Sequence, residues 1–249
     1  MKTYGLIGYR IGYSFSRSYF AEKFRREKLK DCEYLNFELD TISEFPALFK
    51  HNDHLYGFNC TIPYKQEIMA YLDELDKEAA TVGAVNTVKI IRSGGQIKLK
   101  GYNSDTYGFE QSLLAFLGAR RPGALILGTG GASKAVRYIL EKHQMPFLQV
   151  TRSVELKENQ IHYAAINAEL LDEYQLVINA TPVGTFPATD QCPDIPYRLL
   201  GSDHFLFDLI YNPDETLFLK RGKQQKAAVK NGLEMWHLQA ERSWEIWNS

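Results

Sequence analysis

At 249 residues, with 45% hydrophobic and 13% aromatic side chains, the chain has material for one large domain or two of ordinary size. A formal charge of −1 creates no global field to gather nucleic acid or an anionic membrane surface. No apolar run approaches the roughly 20 residues that span a bilayer, and the first residues lack a basic-then-apolar leader. The three cysteines, Cys32, Cys60 and Cys192, are widely spaced and odd in number, which suits reduced, mostly buried thiols and not a disulfide frame. His51 and His54 share a short stretch, but no third ligand completes a set at diagnostic spacing, so they are expected as surface residues and no metal is expected. These observations predict a soluble, cytoplasmic protein with no nucleic-acid or membrane partner.

In chain order, Tyr4–Gly8 predicts a first strand and Tyr9–Ser16 a loop holding Ser14 and Ser16. From Ser18 to Leu29, Phe20 and Phe24 mark one helical face. Tyr34–Leu39 alternates as a strand does, Phe45–Lys50 predicts a short helix and Leu55–Cys60 another strand. This rhythm implies a mostly parallel sheet covered by helices. Pro63 suits the first turn of a helix, which would set Lys65 near a helix start where the dipole disfavours a cation. Thr87–Arg92 and Gln96–Tyr102, joined by Ser93-Gly94-Gly95, predict a hairpin. Asp105 then opens a helix over 106–117, an acidic residue favourably placed at its start.

The central stretch is Ala124-Leu125-Ile126-Leu127-Gly128-Thr129-Gly130-Gly131-Ala132-Ser133: an apolar run, three glycines, then a helical pattern over 134–142. Glycines bring main-chain N–H groups close to a ligand, and a helix N-terminus favours an anion. Gly128, Gly130, Gly131 and Ala132 are therefore candidates for cradling a pyrophosphate, although Ser133 replaces the third glycine of the usual pattern and a plain strand-to-helix turn is the alternative. Phe147–Thr151 predicts the next strand. NAD enzymes place an acidic residue about 20 positions beyond the glycines. Here Arg152 stands 24 beyond Gly128, between Thr151 and Ser153, and a cation between two hydroxyls suits the 2′-phosphate of NADP. Lys157 is the next cation along. The stretch 154–163 is short and polar, which predicts a loop in place of a crossover helix and an open adenine side. Beyond a helix at 168–174, Leu176–Pro182 predicts a buried strand whose polar end offers Asn179 and Thr181 as cofactor contacts or as loop caps. Phe205–Tyr211 and Lys226–Gly232 predict two more strands. The last helix, 233–248, carries Trp236, Ala240, Trp244 and Trp247 at core-packing spacing.

Asn59-Cys60-Thr61-Ile62-Pro63-Tyr64-Lys65 resembles the N-V-T-x-P-[FY]-K signature of shikimate dehydrogenases, and four further stretches follow in the family's order. Gly83-Ala84-Val85-Asn86-Thr87 is similar to its G-A-V-N-T, and Gly101-Tyr102-Asn103-Ser104-Asp105-Thr106-Tyr107-Gly108 to its G-x-N-[TS]-D-x-x-G. Asn179-Ala180-Thr181-Pro182-Val183-Gly184 and Asp208-Leu209-Ile210-Tyr211 complete the set. The resemblance implies two α/β domains: a mostly parallel substrate domain, residues 1–102 with 233–249, and a Rossmann-like NADP-binding domain, residues 103–232. It implies NADPH-dependent reduction of 3-dehydroshikimate, a small-molecule substrate, by a monomer or homodimer, with Lys65 and Asp105 as an acid–base couple. Ser14 and Ser16 would grip the substrate carboxylate, while Asn59, Thr61, Asn86, Tyr211 and Gln239 would meet its ring hydroxyls, the amides both donating and accepting. Gly232 would let the backbone approach the nicotinamide. Departures from the family pattern are Thr151 for asparagine, Arg17 for proline, Tyr13 for histidine and Glu234 for a glycine. Rival readings are a quinate/shikimate dehydrogenase of broader specificity, NAD included, and a non-catalytic NADP-binding regulator.

Overall fold

The computed structural model describes residues 1–12, 14–50 and 52–249, the side chains of residues 49 and 50 excepted; Tyr13 and His51 lie outside the described residues. The chain forms two compact units, Met1–Ser104 with Ala240–Ser249, and Asp105–Gln239. Both divisions fall within helices, further along the chain than the sequence places them.

In the first unit, β1 (Lys2–Gly8), β2 (Cys32–Glu38), β3 (Leu55–Cys60), β4 (Glu74–Leu75), β5 (Thr87–Ser93) and β6 (Gln96–Tyr102) form one sheet in the order β2-β1-β3-β5-β6-β4. The first three strands are parallel, whereas β5 runs antiparallel to β3 and β6. Gly94 and Gly95, both at positive φ, close the two-residue hairpin turn that such strand twist requires. Helices α1 (Ser16–Arg26), α2 (Phe45–Lys50) and α3 (Lys77–Val82) complete its first 104 residues, and the end of α8 (Leu233–Asn248) returns to it. Side chains of β1 alternate between two cores. Ile7 joins Phe45, Leu55, Phe58 and Val88, while Tyr4 and Leu6 join Phe20, Phe24, Tyr34 and Trp247. Trp247 stacks on Tyr4 with ring centroids 5.0 Å apart and donates its indole N–H to Val88 O at 3.0 Å.

The second unit is built on six parallel strands, ordered β12-β11-β10-β7-β8-β9: β7 (Ala124–Leu127), β8 (Phe147–Thr151), β9 (Gln160–His162), β10 (Leu176–Asn179), β11 (Phe205–Asp208) and β12 (Ala228–Lys230). All four residues of β7 are fully buried. Ala124 and Ile126 face a core shared with α4 (Ser104–Leu117) and α5 (Gly131–Lys142). Leu125 and Leu127 face the opposite core, with Leu171 of α6 (Ala168–Glu173) and Phe218 and Leu219 of α7 (Leu217–Gln224).

Three expectations are corrected. No helix begins at Pro63: Tyr64 N–H bonds Thr61 O and Ile68 N–H bonds Tyr64 O, so the chain proceeds by turns into a short 3-10 segment at Glu67–Tyr71. The cysteines are not mostly buried, since Cys32 and Cys192 are half-buried and Cys60 alone of the three is enclosed. The stretch after β8 lacks a helix as expected, yet it also supplies β9, a strand on the sheet edge. Among the described residues no helix is long and apolar enough to cross a membrane.

At Gly57 in β3, an added Cβ would lie 2.2 Å from Trp247 Cδ1. Overpacking of this kind costs about 1–3 kcal/mol, so Gly57→Ala is expected to lower the urea midpoint correspondingly; an unchanged midpoint would show that Trp247 yields freely.

Candidate active site

Parallel sheets open a crevice where consecutive connections leave a strand in opposite directions. Here β7 is flanked by β8 and β10, so the crevice lies at the C-terminal ends of β7 and β10. A cleft of about 940 Å³ occupies that place, lined by Gly128, Thr129 and Gly130 after β7, Thr151, Arg152 and Ser153 after β8, and Ala180 and Thr181 after β10. Gly128 has φ +104°, a conformation that disfavours side chains, and a Cβ there would meet Thr181 Cγ2 at 2.9 Å. Open space surrounds the missing Cβ atoms of Gly130 and Gly131. Gly130 N-caps α5 and no side chain caps this helix; Gly131 and Ala132 form its first turn. The glycines therefore leave a helix N-terminus accessible to an anion. Ser133, where the third glycine is usual, is buried and donates its hydroxyl to Gly130 O at 2.7 Å.

Arg152 is exposed, and among the described residues no carboxylate lies within the 4.0 Å of an ion pair. Thr151 is buried and accepts Ser153 N–H at 3.1 Å, which fixes the turn that presents the guanidinium. Those features fit a 2′-phosphorylated dinucleotide. Lys157 does not line the cleft, but Arg221 of α7 does. Nothing in the strand-and-glycine pattern pointed to Arg221, because the apolar run that opens α7, Leu217-Phe218-Leu219, reports burial and not what the following cation reaches.

Of the two polar candidates after β10, Asn179 is fully buried. Its amide nitrogen donates to Asp208 Oδ1 at 3.0 Å and Val183 O at 3.3 Å, and its oxygen accepts Thr181 N–H at 3.1 Å and Thr181 Oγ1–H at 2.6 Å. It braces the cleft wall from behind, and Thr181 is the residue of the pair on the surface. Gly232, too, answers a local demand: a Cβ there would sit 2.2 Å from Leu209 O. Glu234, the departure beside it, accepts from Ser112 at 2.9 Å and pairs with Lys230 at 2.5 Å, tying α8 to α4 and β12. Tyr211 lies 5.4 Å, ring to ring, from buried Trp236. Gln239 packs where Gly108 of α4 leaves room for α8, and Asp105, 7% exposed, occupies the first turn of α4.

The first unit gathers several other candidates. Ser14 Oγ accepts Ser16 N–H at 3.2 Å at the start of α1. The phenol of Tyr34 donates to Asn59 Oδ1 at 2.9 Å. Asn59 Nδ2 donates in turn to Ser243 at 2.8 Å, and to Thr87 and Asn86 O, each at 3.2 Å. Asn86, 2% exposed, accepts Ser104 N–H at 2.7 Å. Tyr34 and Ser243 were missed as site residues; the alternation of β2 and the period of α8 show burial but not what their hydroxyls reach. Thr61 donates its N–H to Ile7 O at 2.9 Å, and Lys65 accepts Val85 N–H at 2.7 Å through its carbonyl. Burial pushes the Cys60 thiol up to about 12, against the opposing pull of the Lys65 ammonium.

The profile described as the shikimate dehydrogenase substrate binding domain matches residues 6–88. A shikimate dehydrogenase (NADP(+)) of Methanococcus aeolicus is 36% identical, over 99% of this chain and 91% of its own length. The chain belongs to the shikimate dehydrogenase family. Among solved family structures, the Aquifex aeolicus enzyme superposes with a TM-score of 0.85 at 32% identity, covering 100% of this chain and 92% of its own. The Thermus thermophilus enzyme, solved in complex with NADP(H) and shikimate, has a TM-score of 0.84 at 29% identity, covering 99% and 93%. The family fold, an α/β substrate domain with a Rossmann-like second domain, is the fold of this chain.

Asp208, at the end of β11, is raised from 3.8 to about 6, burial outweighing its bonds from Thr216, Ile210 and Asn179. Below its unfolded value both states hold the proton. As pH rises toward about 6 the unfolded chain releases it first, so the stability from this group falls across that window and levels off above it. Relative to Asp208→Asn, the wild type is expected to lose about 1–3 kcal/mol between about pH 4 and pH 6.5, read from urea unfolding at each pH. A constant difference between the two proteins would count against the shift.

Proposed function

We propose that this chain is an NADP-dependent shikimate dehydrogenase, catalysing the reversible reduction of 3-dehydroshikimate to shikimate in chorismate and aromatic amino acid biosynthesis. The observation that carries the reading is the glycine-floored cleft with Arg152 on its wall, in a chain akin throughout its length to enzymes named for NADP(+). Its setting is cytoplasmic and its partner a small molecule.

Bound NADPH supplies the hydride. The chain supplies position and a proton. Gly128, Gly130, Gly131 and Ala132 present main-chain N–H groups to the pyrophosphate, and Arg152 with Thr151 and Ser153 takes the 2′-phosphate. Thr181 bounds the cleft, held there by Asn179. Ser14 and Ser16 take the substrate carboxylate, while Thr61, Asn86, Tyr211 and Gln239 take its hydroxyls. Asn59 keeps Tyr34, Asn86 and Ser243 in register. As hydride reaches the carbonyl carbon, negative charge grows on the oxygen, and Lys65 with Asp105 delivers the proton that quenches it. The couple gives a proton in the reduction direction and takes one in the reverse direction. We assign the substrate domain to the first compact unit and the cofactor domain to the second.

Mixing the protein with NADPH and 3-dehydroshikimate is expected to consume NADPH by absorbance. Lys65→Ala should slow that consumption by about 10²- to 10⁴-fold while NADPH still binds; full activity of this variant would refute the chemistry. Arg152→Ala should weaken NADPH by about 10-fold or more and leave NADH nearly unchanged.

A further inference from the structure

We propose that Arg221 is a second cation for the 2′-phosphate of NADP(H), an inference that rests on the cleft being the nucleotide site. Arg221 lies one turn along α7 from Leu217, and both line the same cleft as Arg152. The neighbouring residues Phe218, Leu219 and Gly222 are buried and fix which side of α7 faces it. Like Arg152, Arg221 has no carboxylate within ion-pair distance among the described residues, whereas Lys223 on the same helix pairs with Glu215.

The side chain is also held in place. Its guanidinium sits 5.2 Å from the centre of the Tyr197 ring. That ring is anchored by its hydroxyl, which donates to Pro193 O at 2.8 Å, and by an edge contact with Phe218 at 6.3 Å. A long side chain fixed before binding loses less freedom when it meets an anion. Tyr197 and Tyr163 line one adjoining depression, and Tyr163, itself on the nucleotide cleft, feels the charge of Arg152. Each guanidinium therefore neighbours one of the two tyrosines of that depression. The pyrophosphate has its own donors at the start of α5, so the phosphate left for these guanidiniums is the one on the adenosine ribose. Asp190 and Asp194 also line the cleft. With acids present, binding a phosphate there depends on directed guanidinium contacts and not on a general positive field.

The test is calorimetric titration of NADPH, NADH and 2′,5′-ADP into the wild type, Arg221→Ala, Arg221→Lys and, as a control for charge alone, Lys220→Ala. Lys220 is exposed and outside the cleft. Arg221→Ala is expected to weaken NADPH and 2′,5′-ADP by about 5- to 20-fold with NADH within about twofold, Arg221→Lys to recover part of the loss, and Lys220→Ala to change nothing. Unchanged NADPH binding in Arg221→Ala overturns the proposal, as does equal weakening of NADPH and NADH. A wild type that fails to bind NADPH at all would instead overturn the nucleotide reading of the cleft.

Discussion

Everything in the second unit follows from one constraint on a parallel sheet: β7 has β8 on one side and β10 on the other, so the loops leaving β7 and β10 part company and cannot fill the space above them. Filling that space with side chains would close it. The chain keeps it open with Gly128 at positive φ and with Gly130 and Gly131, whose missing side chains would project into empty volume. Behind the opening, Asn179 and Asp208 form a buried polar brace, bonded to each other and to Val183 O, Ile210 N–H and the Thr216 hydroxyl. The brace is costly, as the raised Asp208 shows, and it ties together the ends of the neighbouring strands β10 and β11, where Asn179 and Asp208 are paired.

The first unit meets a different demand. Its sheet mixes directions at β5, and the strand ends there leave backbone and side-chain polar groups in a buried position. Thr87, Ser104 and Ser243 satisfy them with hydroxyls 2.8 to 3.0 Å apart, joined by the amides of Asn59 and Asn86. Such a network is stabilising only when every member is bonded. Its completeness is why residues from sequence positions as distant as 34, 59, 87 and 243 hold one geometry.

Much of this was legible in the sequence. β3, β8, α2 and α8 have the bounds their patterns predict, because short apolar runs and helical periodicity report burial directly. The glycine turn and Arg152 were legible because ligand chemistry at a strand end demands few residue types. What escaped was of two kinds. Helices α3 and α7 are too short to show a helical period, so their signals lay in caps: Asp76 and Gly83 bound α3, and Thr216 starts α7. Helix expectation at Pro63 failed because a proline that fits a first helical turn fits an ordinary turn equally well. Side-chain partners such as Tyr34 and Ser243 escaped because hydrogen bonds across 25 or more positions leave no local trace.

Tyr34 has a single hydroxyl hydrogen and commits it to Asn59 Oδ1, so towards any further group the phenol oxygen can only accept. That commitment orients the Asn59 carboxamide: with its oxygen facing the phenol, its nitrogen is turned to Ser243, Thr87 and Asn86 O. One tyrosine thus decides which way round an amide sits, and with it the polarity of the whole hydroxyl chain.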